Sequence, residues 1–296
     1  MNEVFDKLLI RFLFTVFICV SLLIYKYAHV IFYPSKKKQI LKKIYPAENY
    51  VDTLHIFSRL IGIAMIFSVL EFNEYIGILN SIVDFFILGL SGIILYLLSI
   101  YILESIILYN FEYKDECLKK KNPAYGIVGF ANSISLALII RNLFVESERS
   151  LVILIILWLF ALVLFGFSTK LFKYVSTLSF NSLMIQKNIG LAASYAGFLF
   201  GNALIITSAF NHEHHDIGSY SVQVILKTLL SALIFPVFRL GIISVFKIHE
   251  DKSVDGTPEN PHLGYGIYEG AVFLTCALLT SIIIGQIHFG TIYPFF

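Results

Sequence analysis

Charge is what this 296-residue chain has least of: Asp, Glu, Lys and Arg make up 14% of it, against roughly 25% in an ordinary soluble domain. With 57% hydrophobic residues and a mean hydropathy of +0.80, a water-soluble globule is excluded. Cysteine is also sparse. Cys19, Cys117 and Cys276 lie far apart and have neither disulfide nor metal-ligand spacing. No Walker loop, HExxH or GxSxG run is present. ATP hydrolysis and protease or lipase chemistry therefore have no support. With no nucleophile and base constellation, an enzyme is not expected, and neither a cofactor, a metal nor a nucleic-acid partner is implied.

What the chain does have is long apolar runs. About 20 mainly apolar residues suffice to cross the hydrocarbon, and eight segments meet that length: 6–33, 50–71, 75–111, 123–145, 149–177, 188–210, 219–248 and 262–288. The reading is an all-α polytopic membrane protein whose principal partner is the lipid bilayer. The 75–111 segment is longer than a span needs, so it tilts strongly or includes an interfacial turn. The first segment has a weakly basic lead, Lys7 and Arg11, and no small-residue cleavage site, so it reads as a retained helix.

The connectors orient these segments. Lys36, Lys37, Lys38, Lys42 and Lys43 follow the first; Lys114, Lys119, Lys120 and Lys121 follow the third; Lys187, Lys247 and Lys252 follow the fifth and seventh. Alternate connectors are poor in cations: Glu71 and Glu74, then Glu146, Glu148 and Arg149, then His212 to Asp216. Lys and Arg bias in short loops marks the cytoplasmic side. Both termini are therefore expected outside the cytoplasm. The same lysines fit anionic lipid headgroups or acidic proteins as partners, although orientation alone would account for them.

Those basic connectors also carry a repeat. Asn49, Asn122, Asn188 and Asn260 stand 73, 66 and 72 residues apart, each ahead of an apolar segment. A period of this size implies repeated units, here of two helices each, and two helices return the chain to its starting side. Four parallel two-helix repeats follow. Three of the asparagines precede small residues, as in Pro123-Ala124-Tyr125-Gly126, Lys187-Asn188-Ile189-Gly190-Leu191-Ala192-Ala193 and Asn260-Pro261-His262-Leu263-Gly264-Tyr265-Gly266. The first, Asn49-Tyr50-Val51-Asp52, lacks them. A long apolar helix, a polar connector and an Asn-led small-residue helix resemble the YjfL family of bacterial inner-membrane proteins, a domain of unknown function numbered 350. That resemblance implies two four-helix units, 1–146 and 147–296, in a bacterial inner membrane, linked to envelope stress or polyamine-related chemistry. It implies no catalytic residues. The fused repeat fits a monomer where shorter relatives would dimerise, and is compatible with a homo-oligomer as well.

A charge near the bilayer centre costs about 2.5–3.5 kcal/mol on insertion scales, so each needs a partner or a purpose. One charge recurs in each odd segment: Lys26, Glu104, Lys170 and Arg239, respectively 23, 18, 18 and 21 residues before the asparagines. They would form a charged ring on a central pathway, or the cations would simply snorkel to headgroups. Glu104 is too short to snorkel and calls for a cation. Asp52, His55 and Arg59 share one helical face, which an Asp52–Arg59 or Glu104–Arg59 pair would satisfy. Asn132, Asn202 and Glu269 would bridge helices by hydrogen bonds. Gly197-x-x-x-Gly201 and Gly266-x-x-x-Gly270 permit close helix approach, which places the even helices at the packed centre and the odd ones toward lipid.

Two motifs are set aside. Asn122-Pro123-Ala124 matches the aquaporin signature, but those channels need two copies in inverted repeats, and these repeats run parallel. His212-Glu213-His214-His215-Asp216 carries metal-capable side chains without the fixed spacing of a site. The leading expectation is a channel or transporter for a small ion or polar solute. A non-transporting scaffold or envelope-stress component, recruiting partners through its basic loops, is the alternative.

Overall fold

The computed structural model describes residues 2–37, 45–71, 77–211, 217–247, 256–257, 260–287 and 289. Its framework is eight long helices: α1 (Asn2–Phe32), α2 (Tyr50–Phe67), α3 (Ile78–Ile107), α4 (Pro123–Glu146), α5 (Leu151–Lys170), α6 (Ile189–Phe210), α7 (Ile217–Phe246) and α8 (Leu263–Gln286). All eight contain stretches long and apolar enough to cross a membrane. The other elements are single turns and a two-residue antiparallel ladder, Gly256–Thr257 against Asn260–Pro261. Helix α3 is shorter than the 75–111 segment, because the chain leaves it at Leu108 and enters a π-helical turn at Lys114–Lys119. Pro236 sits inside α7 without ending it, as a membrane helix tolerates.

The even helices pack side by side in the order α2, α4, α6, α8. Residue pairs ascend together across each seam. Gly126 and Gly129 on α4 meet Val51 and His55 on α2. Asn142 on α4 reaches the Thr207 carbonyl on α6 at 3.3 Å. On α6 and α8, Gly190 lies against Gly266, Gly197 against Gly270 and Gly201 against Ala277. The four even helices thus run parallel, as two-helix repeats require. Apolar side chains gain nothing by leaving lipid for one another, so close backbone approach has to hold such a row. A methyl group built on Gly197 would stand 2.1 Å from the Gly270 carbonyl oxygen, and one on Gly266 would stand 1.9 Å from that of Gly190. The small-residue stripes are what allow this seam to close.

The odd helices lie mostly toward lipid, with 22%, 28% and 6% of the apolar windows of α1, α5 and α7 buried. Helix α3 departs from the expectation at 56%. The reason lies in Gly89 and Gly92, which seat α3 against Phe17 of α1, Ile66 and Phe67 of α2 and Phe144 of α4.

The lysine–asparagine connectors have a common construction. Lys121 and Lys187 both adopt left-handed backbone, with φ of 49° and 59°. Each ends a short helical turn, Lys114–Lys119 or Phe180–Ile185, and hands over to Asn. The Asn188 amide then bonds the Leu183 carbonyl at 3.0 Å, the six-to-one closure of a Schellman end. In the first case the Asn122 amide reaches Glu116 instead, one residue further back, because the turn it closes is π-helical. The asparagine side chain then caps the next helix: Asn49 accepts from Val51 and Asp52, Asn122 from Ala124 and Tyr125, and Asn188 from Leu191. Asn and Asp are among the strongest caps, worth about 1 kcal/mol each.

Each of the first two asparagines also braces the following repeat. Asn49 Nδ2 donates to the Cys117 carbonyl and Asn122 Nδ2 to that of Met184, at 2.8 and 2.9 Å. Lys121 and Lys187 reach back to the Glu48 and Lys120 carbonyls. Asn260 departs from this pattern. It lies in the two-residue ladder, and α8 begins behind a left-handed His262 with no side-chain cap.

Candidate functional site

The first four-helix unit gathers its polar residues where α1, α2 and α3 meet. Arg59 on α2 is 1% exposed. Its Nη2 donates to Glu104 Oε1 on α3 at 2.7 Å and to the Tyr33 hydroxyl at 2.8 Å, and its guanidinium lies 4.8 Å over the Tyr33 ring. Tyr33 in turn donates to the other carboxylate oxygen of Glu104. The His55 ring packs against the guanidinium, with its nitrogens 2.9 and 3.0 Å from Nη2 and Nη1, and His55 Nε2 lies 3.4 Å from Glu104 Oε1. His29 Nδ1 on α1 closes the group at 3.3 Å from Nη1. One guanidinium, one carboxylate, two imidazoles and a phenol thus share a buried box.

Of the two pairings the α2 stripe allows, the structure forms Glu104–Arg59. Asp52 is buried two turns nearer the connector and accepts from the Tyr113 hydroxyl instead. Burial pushes the phenols of Tyr33 and Tyr113, both just outside the spanning segments, well above their ordinary range, so at neutral pH both hydroxyls remain donors. Toward the bilayer centre, Tyr25 donates to the Ile56 carbonyl and Tyr96 to that of Ser133. Gly62 leaves room on α2 for the Tyr96 hydroxyl; a Cβ there would stand 1.9 Å from it. A narrow cavity lined by Tyr25, His29, Tyr33, Arg59 and Tyr101 lies beside the guanidinium.

Burial of a charge pair in so apolar a setting is justified only by good geometry and by hydrogen bonds to the remaining polar atoms. Most are present here, although Arg59 Nε has no partner.

The other predicted charges stand apart from this box, so they form no ring. Lys26 is half-buried on α1 and is in no ion pair among the described residues. Lys170 donates to the Ile106 carbonyl at 3.0 Å and lies over the Tyr109 ring. Arg239 donates to the Val175 carbonyl at 2.7 Å and lies over the Phe273 ring. A regularity survives in different form. In α3, α5 and α7 the recurring charge touches the chain at the end of the preceding odd helix: Glu104 at Tyr33, Lys170 at Ile106 and Arg239 at Val175. The position is a rung between consecutive odd helices.

The second unit fills its core differently. Glu269 on α8 is 1% exposed and accepts from Ser176 and Ser194 hydroxyls at 2.7 and 2.5 Å. Asn132 is also buried, yet among the described residues neither of its amide atoms has a hydrogen-bond partner, and Asn202 Nδ2 has none. Of the three predicted helix bridges, only Glu269 is one. The His212–Asp216 loop, Glu74, Lys38, Lys42, Lys43 and Lys252 lie outside the described residues, as does the Asn260 side chain. Among the described residues no group of three or more His, Cys, Asp or Glu could hold a metal ion.

Tyr25, His29 and Tyr33 were missed by sequence reasoning. Their spacing of four within one apolar helix places them on a single face, and that signal was available. Tyr113 and Ser176 lie in connectors and offered none.

These features define a multi-pass, all-α membrane protein with an internal twofold repeat. Residues 4–144 and 147–284 each match DUF350, a domain of unknown function, and the chain belongs to that family with two copies fused. No curated protein and no solved structure matches it.

Proposed function

We propose that this chain is a channel or transporter for a small ion or polar solute, and that the Arg59–Glu104 box is the polar station on its route. One observation carries the reading: a guanidinium, a carboxylate and two imidazoles meet inside a membrane-spanning bundle. Ionisable residues in such segments are rare, pair with one another or with backbone carbonyls, and mark ion pathways and proton relays. His55 contacts both partners of the ion pair, and the narrow cavity reaches the guanidinium from the α1–α3 side. Passage then requires the pair to open, or a proton to move between the imidazoles and Glu104. The family resemblance supports a bacterial inner membrane, and the lysine bias of alternate connectors supports both termini outside the cytoplasm.

The test is flux of ions and small polar solutes into proteoliposomes. Wild type should carry at least one of them, and a properly inserted Glu104→Gln should lose that flux or change its selectivity. Unchanged flux and selectivity in Glu104→Gln would overturn the reading. No flux across a broad ion and polyamine panel would favour a scaffold acting through the lysine connectors.

A further inference from the structure

The geometry points to a buried binding site for one alkali cation of sodium size, built by Glu269, Ser176, Ser194 and Tyr265 in the second unit. This goes beyond the transport reading and stands whether or not the Arg59–Glu104 box carries flux.

Glu269 is buried in the second turn of α8. Among the described residues no Lys, Arg or His nitrogen is in ion-pair contact with its carboxylate. Its partners are hydroxyls: Ser176 Oγ at 2.7 Å and Ser194 Oγ at 2.5 Å on one oxygen, and Tyr265 Oη at 3.5 Å from the other. Thr177 Oγ1 holds the phenol from behind at 2.9 Å. These groups come from the connector after α5, from α6 and from α8, so they surround a point rather than line one helix face.

A carboxylate buried away from water needs a counter-charge or takes up a proton. Oxygen-only donors suit hard cations and not soft or imidazole-seeking metals. A single carboxylate offsets a single positive charge, so a divalent ion would leave one buried charge uncompensated. Hydroxyl hydrogens rotate freely. The serines that donate to Glu269 can therefore turn their lone pairs onto an ion. The short spacing of the cluster favours sodium over a larger cation.

The first unit has no such need, because Arg59 already neutralises Glu104. With the full chain in lipid nanodiscs, the thermal unfolding midpoint would be followed as NaCl replaces choline chloride at constant ionic strength, alongside equilibrium binding of radioactive sodium. Wild type should gain a saturating rise in midpoint, as a ligand that binds only the folded state produces, and should bind one sodium per chain. Gly241→Ala, with open space around it on α7, should keep both responses and Glu269→Gln should lose both. Ser194→Ala, which keeps the carboxylate, should raise the half-saturating concentration about tenfold, the counterpart of losing one good ligand contact. The proposal is overturned if the rise persists in Glu269→Gln, if choline chloride produces it equally, or if the midpoint responds only to pH. Should Glu269→Gln fail to fold, an unchanged half-saturating concentration in Ser194→Ala overturns it alone.

Discussion

The two units of this chain share a helix plan and a family, yet they bury opposite chemistry. In the first, the even helix α2 supplies the cation Arg59 and the odd helix α3 supplies the anion Glu104, and the two neutralise each other at 2.7 Å. In the second, the odd helix α7 supplies the cation Arg239 and the even helix α8 supplies the anion Glu269. Those two are not in ion-pair contact: Arg239 bonds the Val175 carbonyl, while Glu269 takes the hydroxyl of the next residue, Ser176. The repeated frame therefore sets where polar groups can be buried without setting their sign or their partner. One unit pairs its buried carboxylate with a guanidinium, whereas the other surrounds its own with hydroxyls.

The largest effect that would sharpen this comparison is loss of one member of the pair. Arg59→Met or Glu104→Met alone leaves an uncompensated buried charge and should cost about 3–5 kcal/mol, whereas the double replacement should recover most of that. Reversible unfolding in detergent would measure the coupling. If the double variant is as unstable as either single one, pairing is not what stabilises the first unit.

Next come the seams. Gly197→Leu must push α8 off α6, since even a methyl group there meets the Gly270 backbone, and overpacking of this kind costs about 1–3 kcal/mol. Gly241→Leu on α7, with open space around it, should leave the midpoint unchanged. Equal effects at the two sites would remove the small-residue seam as the basis of the even-helix row.

The connectors should give smaller shifts. Asn122→Ala loses both a cap and a brace to Met184, for a cost of about 1–2 kcal/mol. Asn260→Ala, ahead of a helix with no side-chain cap, should cost less. Hydrogen exchange at the first turns of α4 and α8 would report the difference locally. The smallest effect is expected of Lys170→Gln, which removes a single exposed contact to a carbonyl and a ring. A larger loss there than at Arg59 would reverse the ranking of the two intramembrane charges.

Much of the frame was legible because membrane burial has one dominant rule: the backbone must be satisfied within each spanning helix. Length and hydropathy alone therefore located eight helices, and Asn49, Asn122 and Asn188 marked three of the four even-helix starts. The candidate site was half legible. Asp52, His55 and Arg59 announced a shared face because helical spacing fixes it, and Glu104 stood out as a carboxylate too short to reach water. What could not be read was the partner. Arg59 had two acids within range along the sequence, and the outcome depended on Tyr113 arriving from a connector to occupy Asp52. The supposed ring of four charges failed for the same reason. Similar spacing along odd helices does not say which way a side chain turns, and Glu104, Lys170 and Arg239 each turned toward the chain at the end of the preceding odd helix.

The amino-acid sequence by itself determined the number of spans and their parallel repeat. Each of these follows from local periodicity and from the energy of moving groups between water and hydrocarbon. Only the tertiary structure decided that Arg59 meets Glu104, that Glu269 meets serines, and that α3 is drawn inward by Gly89 and Gly92. Those outcomes depend on how helices rotate and approach. In lipid, contact geometry governs that choice because no hydrophobic gradient between helices exists to do so.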